Sequence, residues 1–241
     1  MTLTARKTLS ISIITPVLNE EQQIVPLLDS LAGSEGDFEH IFVDGGSTDR
    51  TCALLQQYPV RLLCSPPGRG LQQNIGAEAA SGDILLFLHC DTRLPDNFPA
   101  LIQGALNTPG KIAGAFSLAI DHPGWPYRLV EKGANLRSRL LNLPYGDQAL
   151  FMKKSAFERS SGFPDHPILE EITLLRRLRR LGSIGIIAAP ATTSHRRWQR
   201  LGIIQTTLIN QILLAGFFMG FSPQRLARLY FRDSSGSGGV S

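Results

Sequence analysis

Residues 82–91 read GDILLFLHCD, the most informative segment of the chain. The apolar run from Ile84 to Leu88 is typical of a strand that is buried on both faces of a sheet. Directly after it come His89 and Asp91, at the point where such a strand ends. In an open α/β sheet, ligands bind in the crevice at the carboxyl ends of the strands. We therefore expect Asp91, a hard oxygen ligand, to hold a divalent cation there, and such a cation commonly holds phosphates.

An earlier strand runs into a glycine turn. Residues 40–49 read HIFVDGGSTD, with Asp44 at the end of the apolar run and Gly46 in the turn. Glycine lets the backbone come close to a ligand, and Ser47 or Thr48 can cap the helix that follows. We expect Asp44 to hydrogen-bond a base or a ribose.

The first strand also ends in polar residues. SISIITPVLNE, at residues 10–20, contains an apolar run that stops at Pro16 and is followed by Asn19 and Glu20. At any one such turn these residue types are ordinarily helix caps. Because three strands end in this way within the first 91 residues, a shared ligand site at one edge of the sheet is the better interpretation.

Strand and helix patterns alternate through the first half of the chain, which is the signature of a mainly parallel α/β sheet. The chain of 241 residues is 43% hydrophobic and 18% charged, as expected for one domain with one sizeable core. We predict a single domain over residues 1–232, composed of a nucleotide-binding half (about 9–93), an acceptor half (about 94–200) and an apolar helical segment (about 201–231), and a disordered Ser/Gly-rich tail at 233–241. Near the end of the acceptor half we expect a short strand at 184–188 and a loop over 194–198.

Composition limits the compartment and the partners. The three cysteines show no metal-ligand spacing, and an odd, unpaired number indicates a reducing, cytoplasmic compartment. The first apolar run is too short for a signal peptide. The formal net charge is +4, with arginines clustered in a helix predicted at 168–181. A basic excess suits nucleic acid, anionic lipid or phosphate-bearing ligands, but no nucleic-acid motif accompanies these arginines, so we expect no nucleic-acid partner.

The segment 201–224 carries no charged residue and is flanked by Arg200 and Arg225. It has the length of a membrane span, but five polar residues in its first half make a true span costly. Three alternatives stay open: a core helix, a homodimer contact, or a helix in the membrane interface with its arginines on lipid phosphates. The last alternative suits a lipid acceptor and a peripheral position on the inner face of the cell membrane.

Taken together, the motifs resemble a known family. ITPVLNE (14–20), VDGGSTD (43–49) and GRGLQQNIGAEAASGDILLFLHCD (68–91) are similar to the nucleotide-sugar half of glycosyltransferase family 2. Later stretches resemble a bacterial subgroup of that family with unassigned acceptors: LRSRLLNLPYGDQALF (136–151), SGFPDHPILEE (161–171), LLRRLRRLG (174–182) and SHRRW (194–198). The likeness covers roughly residues 9–230 and depends on the order and spacing of these motifs.

The resemblance implies a GT-A fold, with a single Rossmann-like, mainly parallel sheet flanked by helices. It also implies inverting transfer of a sugar from a nucleoside-diphosphate donor, uridine by family habit, to an unknown acceptor. Mn²⁺ or Mg²⁺ on Asp91 would neutralise the leaving diphosphate. The family's usual Asp-x-Asp motif is His89-Cys90-Asp91 here, which leaves the identity of the metal open. His195 would be a further metal or diphosphate ligand, and Arg196 beside it could close over the diphosphate or the acceptor.

The resemblance and the strand-end argument together give a set of donor-binding candidates. Arg69, between two glycines, can reach phosphate oxygens, whose geometry arginine matches. Asn74 and Asp83 match the family pattern, and for Asp83 we expect a nucleoside-side or a structural hydrogen bond. The full donor set is Pro16, Asn19, Glu20, Asp44, Gly46, Arg69, Asn74, Asp83 and His89.

On the acceptor side, Glu170 and Glu171 begin the arginine-bearing helix. The family shows Glu-Asp at this place, with the second residue as the base, which implies Glu171 here. Adjacent helical residues point about 100° apart, so we expect only one carboxylate to face the site. Acidic residues also favour the first turn of any helix because of its dipole. Acceptor or sugar contacts are expected from Gly146, Asp147, Gln148 and Trp198.

Two other functions use the same sheet architecture. A nucleotidyltransferase would carry a Gly-rich, Lys-containing loop soon after the first strand, whereas residues 16–21 read PVLNEE. A nucleotide-sugar-binding protein without catalysis would lose the carboxylates, whereas Asp44, Asp91 and Glu171 are all present. Both observations favour the glycosyltransferase.

Overall fold

The computed structural model describes residues 9–228, which build one eight-stranded sheet with helices on both faces. The predicted tail at 233–241 lies outside the described residues. The strands are β1 (Ile11–Val17), β2 (Phe38–Asp44), β3 (Arg61–Cys64), β4 (Ile84–Phe87), β5 (Thr92–Arg93), β6 (Lys111–Ile120), β7 (Leu150–Lys153) and β8 (Ser183–Thr193). The helices are α1 (Glu21–Ala32), α2 (Thr51–Leu55), α3 (Arg69–Ala79), α4 (Phe98–Leu106), α5 (Trp125–Leu141), α6 (Lys154–Arg159), α7 (Glu170–Leu178), α8 (Arg196–Leu201) and α9 (Ile203–Phe218). A 3₁₀ turn at Gly146–Gln148 precedes β7.

The strand order is β3-β2-β1-β4-β7-β6-β8-β5. The first four of these strands are parallel, and so are β6 and β8. β7 and β5 run antiparallel to their neighbours. Because β7 reverses direction between β4 and β6, the carboxyl ends of β1, β2, β4 and β6 all meet at one edge. The predicted mainly parallel α/β sheet is therefore confirmed.

The apolar run that begins at Ile84 forms β4 in the middle of the sheet. Ile84 and Leu86 pack into a core shared with α1 and α4, while Leu85 and Phe87 pack into a second core shared with α3 and α7. A strand covered on both faces needs apolar residues at every position, which explains the unbroken run. Its carboxyl end fixes where His89 and Asp91 emerge.

Two segments of the second half differ from the prediction. β8 extends to Thr193 rather than ending near residue 188, because its last residues pair with β6 beyond a bulge at Phe116/Ser117. Residues of the expected loop 194–198 form the start of α8. Trp198 of that helix is buried against Tyr127, a tertiary contact that local sequence does not reveal.

The charge-free segment 201–224 contains α9, which lies on the surface. The buried residues of this helix are Thr206, Leu213, Leu214 and Gly216, whereas Ile204 is 82% exposed. The core-helix alternative is therefore wrong. Within residues 9–228, no helix has the length and apolar character needed to cross a bilayer.

Candidate active site

The loops after β1 and β2 are tied to each other at the carboxyl edge of the sheet. The Asn19 side-chain oxygen accepts a hydrogen bond from the Thr48 amide at 2.8 Å, and the Asn19 amide donates to Ser47 Oγ at 2.9 Å. Asn19 has a φ of +54°, in the left-handed region that asparagine tolerates better than most residues. Asn19, three residues after the predicted donor residue Pro16, therefore ties the loop after β1 to the loop after β2.

Asp44 lies in the glycine turn that the sequence singled out. Its carboxylate accepts hydrogen bonds from the amides of Gly46 at 2.9 Å and Ser47 at 3.0 Å. Burial alone would raise the pKa of Asp44, but these hydrogen bonds outweigh it and hold the pKa below its usual range. The carboxylate is thus charged and already bonded within the turn, so a base or ribose would be bound by a preformed loop.

Gln72 of α3 is a positioning residue that the sequence analysis missed. Its side-chain nitrogen donates to the carbonyl oxygens of Val17 at 2.9 Å and Val43 at 2.8 Å, the ends of β1 and β2. A buried amide that joins two strand ends fixes their spacing. The only signal in the sequence was its place inside the family-like stretch 68–91, which does not separate a positioning residue from a binding one.

Asp91 and Glu20 lie on either side of one cationic nitrogen. Arg196 Nη2 is 3.2 Å from Glu20 Oε2 and 3.5 Å from Asp91 Oδ2. Burial raises the pKa of Glu20 above its usual value, although the charge of Arg196 opposes the shift. No local pattern predicts that Glu20, 176 positions away from Arg196, shares this cationic side chain with Asp91.

This carboxylate pair fits a divalent cation in part. Oxygen ligands from Asp91 and Glu20 are of the type that Mg²⁺ and Mn²⁺ prefer. Among residues 9–228, however, no three His, Cys, Asp or Glu side chains are grouped so that they could hold a metal ion. Oxygens of a bound diphosphate would have to complete the coordination, as is usual for Mg²⁺ in nucleotide sites.

The other predicted metal ligand, His195, sits in an aromatic cluster. Its ring centroid is 5.0 Å from that of His122 and 6.2 Å from that of Tyr127. The two loops still meet, since the Ser194 amide donates to the Asp91 carbonyl oxygen at 3.0 Å. The structure thus brings His195 near the Asp91 loop without grouping it into a metal site.

His89 and Glu171 both approach the backbone of Gly146. A β-carbon at Gly146 would lie 2.7 Å from Glu171 Oε1 and 2.8 Å from His89 Nε2, both closer than real contacts allow. A larger residue at this position would force the end of at least one of these side chains to move. The 3₁₀ turn therefore brings the end of β4, from the donor half, to the start of α7, from the acceptor half.

Glu170 and Glu171 both approach Arg69. Their Oε1 atoms lie 4.0 Å and 3.9 Å from Arg69 Nη1, which contradicts the expectation that only one carboxylate would face the site. Leu169, the residue before α7, has a φ of +60°. That conformation costs a non-glycine residue about 1 kcal/mol or more, and such strain clusters at functional sites. It turns the chain abruptly into the first turn of α7.

The two glutamates differ in environment. Glu170 is 3% exposed, and burial, with a further contribution from the charge of Glu171, raises the pKa of Glu170 to about 8. Glu170 is therefore mostly protonated at neutral pH. A pair of carboxyl groups whose pKa values are pushed apart is the usual arrangement for separating acid and base roles.

The raised pKa of Glu170 gives a stability prediction. The unfolded chain loses this proton near pH 4.5, whereas the folded chain keeps it to about pH 8. Stability that is fully present below pH 4.5 is therefore lost as the pH rises toward 8. We expect the Tm of Glu170→Gln to rise relative to wild type across pH 5–8, as measured by thermal unfolding. The exposed Glu158→Gln variant should follow wild type; an equal response would contradict a buried, protonated Glu170.

Two predicted site residues are hydrogen-bonded within the fold. Asp83 lies at the amino end of β4, where its Oδ2 accepts from the Ser10 amide and hydroxyl at 3.3 Å, which matches the structural alternative expected for it. Gln148 is fully buried, and its amide bonds Ser138 Oγ and the Phe116 carbonyl oxygen. Asp83 thus joins the start of β4 to the residue before β1, and Gln148 is bonded in the interior.

Trp198 is a second acceptor candidate that the structure removes. Its side chain is buried and packs with Leu118, Ile120 and Tyr127. Asn74 of α3 bonds the backbone amide and carbonyl of Phe163, both at 2.9 Å, and so fastens α3 to the segment before α7. Asn74 positions the site rather than lining it. Of the acceptor candidates, Gly146 and Asp147 remain at the turn beside His89 and Glu171.

Known proteins share this chain's sequence pattern. A model of the family described as Glycosyl transferase family 2 matches residues 12–163. A poly(ribitol-phosphate) beta-glucosyltransferase of Bacillus spizizenii is 27% identical over 176 residues, which are 66% of this chain and 27% of that protein. An undecaprenyl-phosphate 4-deoxy-4-formamido-L-arabinose transferase of Pseudomonas paraeruginosa is 28% identical over 163 residues, which are 61% of this chain and 48% of that protein. This chain spans between about a quarter and a half of the length of these relatives.

The architecture is shared with a solved structure as well. Glucosyl-3-phosphoglycerate synthase from Mycobacterium tuberculosis, crystallised with Mn²⁺, uridine diphosphate and phosphoglyceric acid, has a TM-score of 0.61 at 24% identity, over 85% of this chain and 78% of that one. This likeness confirms the expected GT-A fold. Because the family model covers more than half of the residues, the chain belongs to glycosyl transferase family 2.

Proposed function

We propose that this chain transfers a sugar, with inversion, from a nucleoside-diphosphate donor to an acceptor hydroxyl. The observation that carries the proposal is the approach of His89 Nε2 and Glu171 Oε1 to one point beside Gly146. This places a group from the donor half and a carboxylate from the acceptor half at one point. The same carboxyl edge of the sheet holds Asp91 and the Asp44 turn.

On the donor side, the crosslinked loops after β1 and β2 would take the nucleoside, which we propose to be uridine. Asp91 and Glu20 would hold Mn²⁺ or Mg²⁺ together with the diphosphate oxygens. The cation, when bound, neutralises the charge that develops on the leaving diphosphate. Arg196 already sits against both carboxylates and can turn its guanidinium to the diphosphate, for which arginine has the matching geometry. Support for this assignment also comes from the relative solved with Mn²⁺ and uridine diphosphate.

On the acceptor side, Glu171 would accept the proton of the attacking hydroxyl. A protonated Glu170 cannot take that proton, because burial and the charge of Glu171 raise its pKa to about 8. Arg69, close to both glutamates, would offset the charge of Glu171 and hold it in place. A positioned carboxylate base contributes roughly 10²–10⁴-fold to a proton-transfer step.

We further propose that the acceptor is carried by a lipid. One relative is named for its action with undecaprenyl phosphate, a lipid-linked substrate. In this chain, α9 packs against the residues just before the Gly146 turn, so an apolar helix adjoins the acceptor side of the site. A lipid acceptor would place a polar head group at Glu171 and its apolar chain beside that helix.

The first experiment is a thermal-shift and hydrolysis panel of UDP-, GDP- and dTDP-sugars, each with Mn²⁺, Mg²⁺ or chelator. We expect one nucleoside diphosphate, UDP, to raise Tm only when the cation is present, and its sugar to be released slowly. Binding that favours one state stabilises it in proportion to the logarithm of ligand concentration over Kd. A folded protein that responds to no donor would overturn the proposed function.

A further inference from the structure

Helix α5 exposes an apolar stripe to solvent. Trp125, Leu129, Leu136 and Leu140 follow one another at intervals of four, seven and four residues, which places them on one face of the helix. Trp125 is 73% exposed and Leu140 is 70% exposed. The opposite face of α5 is buried against the end of β6. The exposed stripe therefore takes no part in the hydrophobic core.

Helix α9 carries a second stripe of the same kind. Ile204, Leu208 and Ile212 recur every four residues and are all more than half exposed, and Met219 just after the helix is 71% exposed. The two helices contact each other. We call these two stripes together the α5–α9 surface.

Two exposed apolar stripes on helices in contact indicate a binding surface. Scattered apolar residues are ordinary on protein surfaces, but contiguous patches of many large side chains mark protein–protein or membrane contacts. On the α5–α9 surface, the apolar side chains are arranged in two helical stripes on adjoining helices. A chain without a partner for this surface would leave Trp, Leu, Ile and Met side chains in water, which is unfavourable for apolar groups.

Basic side chains border the α5–α9 surface. Lys132 and Arg139 are exposed on α5, and Arg225 and Arg228 are exposed after α9. From α7, the Arg176 guanidinium lies 5.7 Å from the centre of the Phe217 ring. Arg179, the residue that follows α7, donates to the carbonyl oxygen of Leu141, the last residue of α5, at 3.2 Å.

Acidic residues are nearly missing from the same helices. Residues 122–145 contain one, Glu131, and residues 196–228 contain none. Glu131 is buried and bonded to Arg128 at 2.9 Å and to the Ile120 amide. The α5–α9 surface is therefore apolar with a border of positive charge.

We propose that the α5–α9 surface binds the face of an anionic phospholipid bilayer. The apolar stripes would enter the boundary between head groups and acyl chains, and the arginines and lysine would meet lipid phosphates. Trp125 lies at the end of its stripe, and tryptophan is enriched at this depth of a bilayer. A second copy of the chain fits less well, because an isologous contact would bring the two basic borders together.

The α5–α9 surface also adjoins the candidate active site. Leu214 and Phe217 of α9 pack with Leu143 and Tyr145, just before Gly146, and with Ile172 of α7, next to Glu171. A bilayer on the exposed face of α9 would therefore be separated from the proposed base by this one helix, whose buried face packs next to Glu171. This last step rests on the proposed function, whereas bilayer binding itself does not.

The test is cosedimentation of the full chain with vesicles. We expect binding to vesicles that contain phosphatidylglycerol, weaker binding to pure phosphatidylcholine, and release in high salt, which screens surface charge. Leu136→Glu/Leu140→Glu and Leu208→Glu/Ile212→Glu should each lower the bound fraction by about tenfold or more. Leu71→Glu, an exposed leucine on α3 away from this surface, is the matched control and should bind like wild type.

Two further measurements keep the outcomes distinct. Circular dichroism and the donor-induced rise in Tm should be unchanged in both double variants. This result would show that the fold and the donor site are intact in them. Analytical ultracentrifugation without lipid should show a monomer. Equal vesicle binding by wild type and both double variants would overturn the proposal, as would a stable dimer that ignores vesicles. Loss of the donor response with vesicle binding intact would instead count against the proposed function alone.

Discussion

Glu171→Gln should lower the rate of sugar transfer about a thousandfold while leaving donor binding intact, because general-base catalysis contributes roughly 10²–10⁴-fold. Glutamine keeps the size of the side chain but cannot accept a proton from the acceptor hydroxyl. Glu171 Oε1 lies close to Gly146, as His89 Nε2 does, and 3.9 Å from Arg69 Nη1. Because glutamine has the same shape as glutamate, we expect these neighbours to keep their positions in the variant. The measurement is kcat with the acceptor, alongside the donor-induced rise in Tm.

Glu170→Gln is the matched control for that experiment. Glu170 is already protonated at neutral pH, because burial and the charge of Glu171 raise its pKa to about 8. A neutral amide at this position should therefore cost far less activity, within about tenfold, and should keep Glu171 as the only charged carboxylate of the pair. The reverse order, a greater loss in Glu170→Gln than in Glu171→Gln, would assign the base to Glu170. Full activity in both variants would remove a glutamate base altogether.

The strands of the nucleotide-binding half were predictable because their sequence pattern is local. A strand buried on both faces must be apolar throughout, as β4 is, and the residue that follows it must leave the sheet. This reasoning placed His89 and Asp91 at the crevice edge correctly. The same run places Asp83, eight positions before Asp91, at the opposite end of the strand, but it could not show that Asp83 bonds Ser10. Which end of a strand a residue occupies is therefore a better guide to whether it can line the crevice than its likeness to a family motif.

The acceptor half was harder to predict because tertiary contacts decide it. Trp198 looked like a surface aromatic beside arginines, but its ring is buried with Tyr127, and the expected loop forms α8 as a result. Gln148 looked like part of a polar turn, but its amide is satisfied inside the protein. Neither burial has a local signature in the sequence.

Long-range pairs were out of reach for the same reason. Nothing in the sequence joins Glu20 to Arg196, since the ion pair exists only once α8 is placed over the β1 crevice. The approach of both Glu170 and Glu171 to Arg69 is likewise a long-range contact between the start of α7 and the start of α3. A helical wheel gives the angle between two adjacent side chains, but it does not show that a third residue lies within reach of both.

Asp91→Asn should weaken binding of Mn²⁺ in the presence of UDP by about a hundredfold, a loss at the upper end of what perturbing a metal site produces. Asparagine retains one oxygen and the volume of the side chain but removes the charge that a divalent cation needs. Arg196 would then keep Glu20 as its partner, at 3.2 Å, so the loop should stay ordered. The measurement is the amount of free Mn²⁺, read by electron paramagnetic resonance, together with the Mn²⁺-dependent rise in Tm.

Asp83→Asn provides an unusually close control, because the two aspartates bracket β4 at its two ends. Asp83 lies on the amino side, where it bonds Ser10, and Asp91 lies beyond the carboxyl side, near Arg196. Both substitutions remove one negative charge, so any general effect of charge on Mn²⁺ binding would be shared. A loss confined to Asp91→Asn assigns the cation to the carboxyl edge of the sheet. Equal losses in the two variants, or no loss in either, would show that the cation does not depend on this carboxylate and would leave Arg196 as the group that neutralises the leaving diphosphate.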